Sequence, residues 1–300
     1  MPESIENPLA GLSEALAERV RAARPIVAAI AIPGHRTRSG TLWRKDVVVA
    51  SEQRFPEVGE AKVTLADGTG FSARFAGRDP GTNTIAFRLD GAADPTPRPA
   101  GEPQPGALVL ALGADGDGAC VRLGMIHSVG PSWHSRAGGR INRRILLDVG
   151  VTPKEEGGPV LDAAGGLLGF STLGPRRSVL VIPAATIDEV LEPLLSKGRV
   201  ERGWLGVALQ PVLVPESAQS EAGQERGLMI MSMSRDGPAA QAGLHAGDIV
   251  VTIAGDGVPS ARAVAQRLGP DSVGKQVELR VIRAGKPLSV AATVGVRPSK

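Results

Sequence analysis

Cysteine is nearly absent: Cys120 is the only one in 300 residues, so no internal disulfide can brace the fold. It lies in an apolar strand pattern and is expected to pack as a small hydrophobe. Aromatics make up 3% of the chain and Tyr is missing, which argues against a stacking platform for single-stranded nucleic acid. No apolar run is long enough for a membrane-spanning helix. The start, Met1 to Pro8, has no basic segment followed by an apolar core, so no secretory signal is read and a cytoplasmic location is expected. The net charge of +3 is too small and too dispersed to indicate nucleic acid. The densest basic segment (Arg136, Arg140, Arg143, Arg144) reads as a solvated loop. No His/Cys/Asp/Glu spacing suggests a metal, and the Gly-rich stretches match no phosphate-binding pattern. No cofactor is therefore expected.

What is abundant is turn chemistry. With 39 Gly and 24 Pro, many short strands are expected rather than a helical bundle. An apolar stripe from Leu12 to Ala23 predicts a helix over 9–24, stopped by Pro25. Strands are predicted at 26–32, 46–51, 61–66, 71–77 and 84–89, with Asp67-Gly68-Thr69-Gly70 as a hairpin turn. Residues 92–105 are Pro-rich and read as a connection between two halves of one domain. Strands at 107–113, 119–129, 144–149, 159–162, 167–172 and 179–182 follow, and short strands at this spacing indicate a barrel or sandwich. A helix over 183–197 shows Ile187, Val190, Leu191 and Leu194 on one face. Beyond it a smaller domain shows strands at 205–210, 228–233, 249–253, 276–283 and 288–296. Its helices are read at 238–242 and 261–268, and 212–226 reads as a mobile polar insertion.

The stretch Thr152 to Val160 demands a reason of its own. Gly157-Gly158-Pro159 joins two strand-like runs, and adjacent glycines permit a positive φ and close backbone approach. Such a turn suits a nucleophile loop with N–H groups that bind an oxyanion. The residue before the glycines, however, is Glu156, which has no hydroxyl to offer.

Four motifs together carry a resemblance. They are Asp79-Pro80-Gly81-Thr82-Asn83, Gly157-Gly158-Pro159-Val160, Arg202 to Val207 (Arg-Gly-Trp-Leu-Gly-Val), and Asp236 to Val250 with Pro238-Ala239-Ala240 and Gly247-Asp248-Ile249. In this order and spacing the chain resembles the HtrA-type (Deg-type) serine proteases. The resemblance implies a mainly β protein: a trypsin-like double β-barrel over 9–197, split near 92–105, a linker at 198–203, and a PDZ domain over 204–298.

The family's chemistry needs a His, an Asp and a Ser, in that chain order. The matching positions here hold Glu52 or Gln53, Asn83 and Glu156. The resemblance therefore implies a degenerate triad, with Gly157 and Gly158 keeping an oxyanion-type turn in backbone form. Glu156 is expected either to face solvent or to cap those N–H groups itself. Two rescues deserve a test: His127 or His134 acting on Ser132 or Ser135, and a carboxylate pair drawn from Glu52, Glu155 and Glu156.

The smaller domain keeps its machinery. In PDZ domains a Gly-containing loop receives a peptide carboxylate and the peptide adds as a strand. The matching residues are Trp204, Leu205, Gly206, Val207 and Leu209, with Val264 and Leu268 on the facing helix or simply in the core. Peptides or protein C-termini are the expected partners. The favoured reading is a pseudoprotease acting as adaptor or regulator. Its rivals are an active serine endopeptidase of protein quality control and a scaffold that self-assembles. The family often forms trimers through an N-terminal segment with aromatics; no aromatic precedes Trp43 here, so the resemblance implies a trimer only weakly and a homo-oligomer stays open.

Overall fold

The computed structural model describes residues 8–93, 98–115 and 118–298. The start on which the signal reading rests, and the centre of the Pro-rich connection at 94–97, lie outside the described residues. Contacts divide the chain into two units, 1–199 and 200–300.

In the first unit, helix α1 (Pro8–Ala23) leads through a 3-10 turn into a closed barrel of six antiparallel strands. These are β1 (Val27–Ala31), β2 (Arg38–Arg44), β3 (Val47–Ser51), β4 (Glu60–Leu65), β5 (Gly70–Asp79) and β6 (Thr84–Leu89). Their order around the barrel is β1-β2-β3-β6-β5-β4. Every residue of β3 is buried, so it reads as a continuous apolar run; β4 alternates, with Ala61, Val63 and Leu65 inside. A second closed barrel holds β7 (Leu108–Asp115), β8 (Gly118–Gly130), β11 (Arg144–Asp148), β12 (Pro159–Asp162), β13 (Leu167–Leu173) and β14 (Val179–Pro183). Phe87 in the first barrel and Phe170 in the second are fully buried. Burying a side chain of that kind stabilises by about 1.5–3 kcal/mol.

The basic segment read as a loop is in part a hairpin of β9 (Trp133–His134) and β10 (Arg140–Ile141). Too few residues alternate there for the pattern to show. Helix α2 (Ala184–Lys197) buries Ile187, Val190, Leu191 and Leu194, the face its spacing predicts. Trp43 Nε1 donates to Asp188 Oδ1 at 2.7 Å and pins the helix to the first barrel.

The second unit opens with β15 (Gly203–Trp204) and β16 (Val207–Leu213). Helix α3 (Glu216–Ala222), β17 (Arg226–Met233), helix α4 (Pro238–Gln241), β18 (Ile249–Ile253) and β19 (Asp256–Gly257) follow. Helix α5 (Ala261–Arg267), β20 (Gln276–Arg283), β21 (Lys286–Thr293) and β22 (Gly295–Val296) complete it. The main sheet runs β16-β17-β18-β20-β21, and β15 pairs with β22. The segment read as a mobile insertion is instead ordered. Val214, Ala218 and Ala222 recur at helical spacing and pack with Ile249, Val251 and Ile282 in a second small core. Its polar residues lie outward, and small alanines hid the inner stripe. On the other side of the sheet Leu228, Ile230, Val250, Leu279 and Val281 form the main core.

Candidate functional site

The Thr152–Gly158 loop is threaded between the two barrels. The Pro153 and Lys154 carbonyls accept from Arg38 Nη1 (3.1 Å) and Ser39 Oγ (2.7 Å) on β2. Gly157 has φ +96°, and a Cβ there would lie 2.5 Å from the Ser39 carbonyl oxygen. A Cβ at Gly158 would lie 2.0 Å from the Leu112 carbonyl oxygen. The pair of glycines thus serves close approach of backbone to both barrels. Their N–H groups point inward: Gly157 N donates to Ser171 O (2.8 Å) and Gly158 N to Glu155 O (3.1 Å). Glu155 N and Glu156 N both donate to Thr152 O. None of these four donors is left for an oxyanion, so the turn expected at Gly157 and Gly158 is in place but its N–H groups are spent.

Glu156 neither faces solvent nor caps that turn, contrary to both expectations. It is 1% exposed. Its Oε1 accepts from Ser51 Oγ (2.8 Å), Thr172 Oγ1 (2.9 Å), Leu173 N (3.0 Å) and Gln53 Nε2. Its Oε2 accepts from Arg54 Nε at 2.6 Å. The physical reason is that a buried carboxylate needs donors, and the inter-barrel cleft supplies them where the turn does not. Burial pushes the Glu156 carboxyl up. The Arg54 guanidinium, the Leu173 N–H, Gln53 and Ser51 more than offset this and hold it below the usual carboxylate value.

Asn83 joins the same network. Its Nδ2 donates to Thr172 Oγ1 (2.7 Å) and Ser51 Oγ (2.9 Å), and its Oδ1 accepts from Gln53 N (2.8 Å). Asn83 has φ 55°, a left-handed conformation that Asn tolerates. The preceding turn holds it there, with Asp79 Oδ2 accepting from Thr82 Oγ1 at 2.8 Å and from Thr82 N at 3.1 Å. Three widely separated positions named from the sequence, 53, 83 and 156, therefore meet. Of the two residues offered for the first position, Gln53 enters the network. Glu52 turns to Arg78 Nη1 at 3.3 Å, and its carboxyl is raised by burial.

Neither rescue finds support in the geometry. Among the described residues no histidine hydrogen-bonds Glu156, whose donors are Ser51, Gln53, Arg54, Thr172 and Leu173, and no hydrogen bond joins Ser132 or Ser135 to a histidine. Ser135 Oγ is buried with no partner at all. The three glutamates do not pair. Glu155 accepts Arg122 Nε on both oxygens at 2.9 Å and Thr152 N at 2.6 Å. Burial raises its carboxyl, but Arg122 and Thr152 together leave it lowered. Each of Glu52, Glu155 and Glu156 is held by its own arginine. Among the described residues no group of three or more His, Cys, Asp or Glu is placed to hold a metal, and no helix is long and apolar enough to cross a membrane.

In the second unit, all seven residues named for the groove line one cavity of about 190 Å³: Trp204, Leu205, Gly206, Val207, Leu209, Val264 and Leu268. Val264 and Leu268 also belong to the core, so the two readings left open for them both hold. Gly206 has φ +77°, and a Cβ there would meet the Trp204 ring at 3.1 Å. The loop is anchored by Ala239 N to Leu205 O (2.9 Å) and Ser234 N to Gly206 O (2.8 Å). Among the described residues strand β16 pairs only with β17, and its other edge, unpaired, lines the cavity together with α5.

Sequence reasoning missed Ser51, Arg54 and Thr172 in the cleft, whose partners lie 16 to 105 residues away. It also missed Ala261, Ala265 and Arg297 at the groove. Helical spacing from Val264 and Leu268 reaches both alanines; nothing local marks Arg297.

A double barrel of this kind followed by such a groove defines a trypsin-like peptidase fold joined to a PDZ domain. A trypsin-like peptidase family model matches residues 38–170, and a PDZ domain model matches 203–294. A protein of Brucella suis described as a probable periplasmic serine endoprotease, DegP-like, is 29% identical over 283 residues, covering 89% of this chain and 55% of the relative. One of Halomonas elongata with the same description is 31% identical over 253 residues, covering 80% of this chain and 52% of the relative. The solved HtrA-type protease AlgW with a tripeptide superposes with TM-score 0.73 at 28% identity, over 95% of this chain and 98% of that one. The chain belongs to the HtrA-like family. It spans about half the length of the curated relatives it matches. Those relatives are named periplasmic, which overturns the cytoplasmic location expected from the N-terminus and points to the cell envelope.

Proposed function

We propose that this chain is a non-catalytic HtrA-like protein of the cell envelope that binds peptides or protein C-termini through its PDZ groove, as an adaptor or regulator. The domain limits we assign are 9–197 for the protease fold and 204–298 for the PDZ domain. The observation that carries the reading is the buried Glu156 carboxylate. It stands directly before Gly157-Gly158-Pro159, and both of its oxygens accept hydrogen bonds from within the protein. A hydrolytic cleft of this class needs a nucleophile, a base and free oxyanion donors. In the corresponding positions stand Glu156, Gln53 and Asn83, bonded to one another directly or through Ser51 and Thr172. Ser51, the nearest hydroxyl, has no exposure and cannot meet a substrate.

The groove supports the binding half. It combines an open strand edge, a glycine loop in the conformation that only glycine adopts easily, and an apolar hollow. A solved relative carries a tripeptide. The test is made on the full chain in two arms. Fluorophosphonate labelling, run beside a competent HtrA-type protease, is expected to mark no serine; a labelled serine overturns the non-catalytic reading. A library of C-terminal peptides is expected to yield binders that Gly206→Glu loses. No binders, or binders indifferent to that change, overturn the adaptor reading.

A further inference from the structure

The main sheet of the second unit has two ends. One is β16, which lines the groove; the other is β21, which among the described residues pairs with β20 alone. Every residue of β21 except Val290 and Ala292 is exposed.

The ladder with β20 fixes which backbone groups of β21 are spare. At one end Val294 N donates to Lys275 O (2.9 Å) and Val294 O accepts from Gly274 N (2.8 Å), so Val294 turns toward β20. At the other end Ala284 (φ 48°) and Gly285 (φ 77°) form the tight turn that pairs Arg283 with Lys286. The register between these ends runs without a shift, so the bonding alternates. Lys286, Leu288, Val290 and Ala292 bond toward β20, and Pro287, Ser289, Ala291 and Thr293 turn outward. Pro287, which has no N–H to give, thus stands where the ladder loses nothing by it. Ser289, Ala291 and Thr293 present their N–H and C=O groups along the outer edge, and all three residues are exposed.

Such a row is a template for another strand, and two features say which. No charged residue lies between Lys286 and the end of β21, so the edge lacks the charges that keep edges apart. The row is also self-complementary about Ala291. Antiparallel pairing of two copies of β21 about that residue sets Ala291 against its own counterpart, and Ser289 against Thr293 of the second copy on either side. Hydroxyl residues so placed hydrogen-bond across the strands. On the same face Glu278 lies opposite Ala291 on β20. The two copies of Glu278 would stand three strand spacings apart, about 14 Å, which is beyond a Debye length of about 8 Å. The hollow suited to gripping a peptide side chain lies along β16 and takes no lining from β21.

We propose that β21 is a self-association edge, through which two copies of this chain pair antiparallel about Ala291 and join their sheets across a two-fold axis. The groove at β16, at the far end of each sheet, stays open in the pair. Pairing at β21 is independent of what that groove binds. One strand pair of this length is small beside a standard interface of about 1,600 Å², so the association is weak and reversible.

The test is sedimentation velocity of the full chain over a range of concentrations. The wild-type mass is expected to rise with concentration. Ala291→Lys sets two cations face to face and is expected to weaken the association about fivefold or more. Ser289→Lys with Thr293→Glu places Lys against Glu in both flanking pairs and is expected to associate at least as tightly as wild type. Ser289→Lys with Thr293→Lys is expected to associate least. All these side chains are exposed, and Ala291→Ser, small and neutral, is expected to behave as wild type. A wild-type mass that does not change with concentration overturns the proposal, as does an association indifferent to Ala291→Lys. Equal behaviour of the Lys/Glu and Lys/Lys pairs overturns the register about Ala291. A wild-type chain that stays single while its β21 amides gain exchange protection from an added extended peptide overturns the second copy as the occupant.

Discussion

The cleft between the barrels and the groove of the PDZ domain are built from opposite principles. In the cleft every polar atom of Glu156, Asn83 and Gln53 that the fold buries has a partner within the protein. In the groove the protein leaves a strand edge unpaired and a hollow unfilled. A closed polar network rigidifies, because any ligand must replace bonds already made. An open edge over an apolar hollow gains bonds and buried area only when something arrives. This difference is what supports the proposal that binding belongs to the second unit and bracing to the first.

The largest expected effect tests the groove. Gly206→Glu places a side chain at φ +77° against the Trp204 ring and sets a carboxylate where the ligand's own would lie. Peptide affinity is expected to fall by about a hundredfold or more, near 3 kcal/mol, in fluorescence anisotropy. An unchanged affinity would break the comparison, since binding would then lie elsewhere.

Next comes the cleft. Glu156→Ala leaves Arg54, Ser51 and Thr172 without their shared acceptor. Removing one partner of a buried ion pair costs about 3 kcal/mol. Urea unfolding of the full chain is expected to show this loss in the first unit, with peptide affinity unmoved. Glu156→Ser restores a hydroxyl but no base, so it is expected to remain unlabelled by a fluorophosphonate. A labelled Ser at 156 would show that the cleft is one substitution from activity.

Acid tests both regions. Glu155 and Glu156 lie below the ordinary carboxylate value when folded. In the unfolded chain they return to about 4.3, so acid protonates the unfolded state first. Their contribution is complete above that value and is lost as pH falls through the folded ones. Asp248, held down against burial by Arg283 and the His245 N–H, gives the second unit the same sign from a single group. Glu52 has the opposite sign: burial raises it, so its part is lost as pH rises. Both units are therefore expected to lose stability as pH falls below about 5, the first through Glu155 and Glu156 with Glu52 opposing them. Glu156→Gln is expected to flatten that slope in the first unit alone.

Much of this was legible in the sequence because it is local. Alternation gives β4, turn chemistry gives the hairpin at Asp67-Gly68, and helical spacing gives the buried face of α2. The positions 53, 83 and 156 were legible through motifs, but what Glu156 does was not. Its donors come from β3, the turn after it, and β13, and no spacing along the chain encodes a meeting across two barrels. Arg297 was hidden for the same reason: only the pairing of β22 with β15 brings it to the groove.

The smallest expected effect concerns what braces the groove. Helix α3 was read as a mobile insertion because its residues are mostly polar, yet Ala218 is 1% exposed in a small apolar core. Val212 of β16 and Met229 of β17 pack against that core. The strand that offers its free edge is thus steadied from behind by apolar contacts, where the cleft is held by charge. Ala218→Ser puts a hydroxyl into this core and is expected to cost about 1 kcal/mol. Urea unfolding of the second unit reads the loss, and the apolar origin predicts that it does not change between low and high salt. A silent substitution would return α3 to the status of a surface insertion. A salt-dependent loss would mean that charge braces the groove as well, and the contrast between the two regions would narrow.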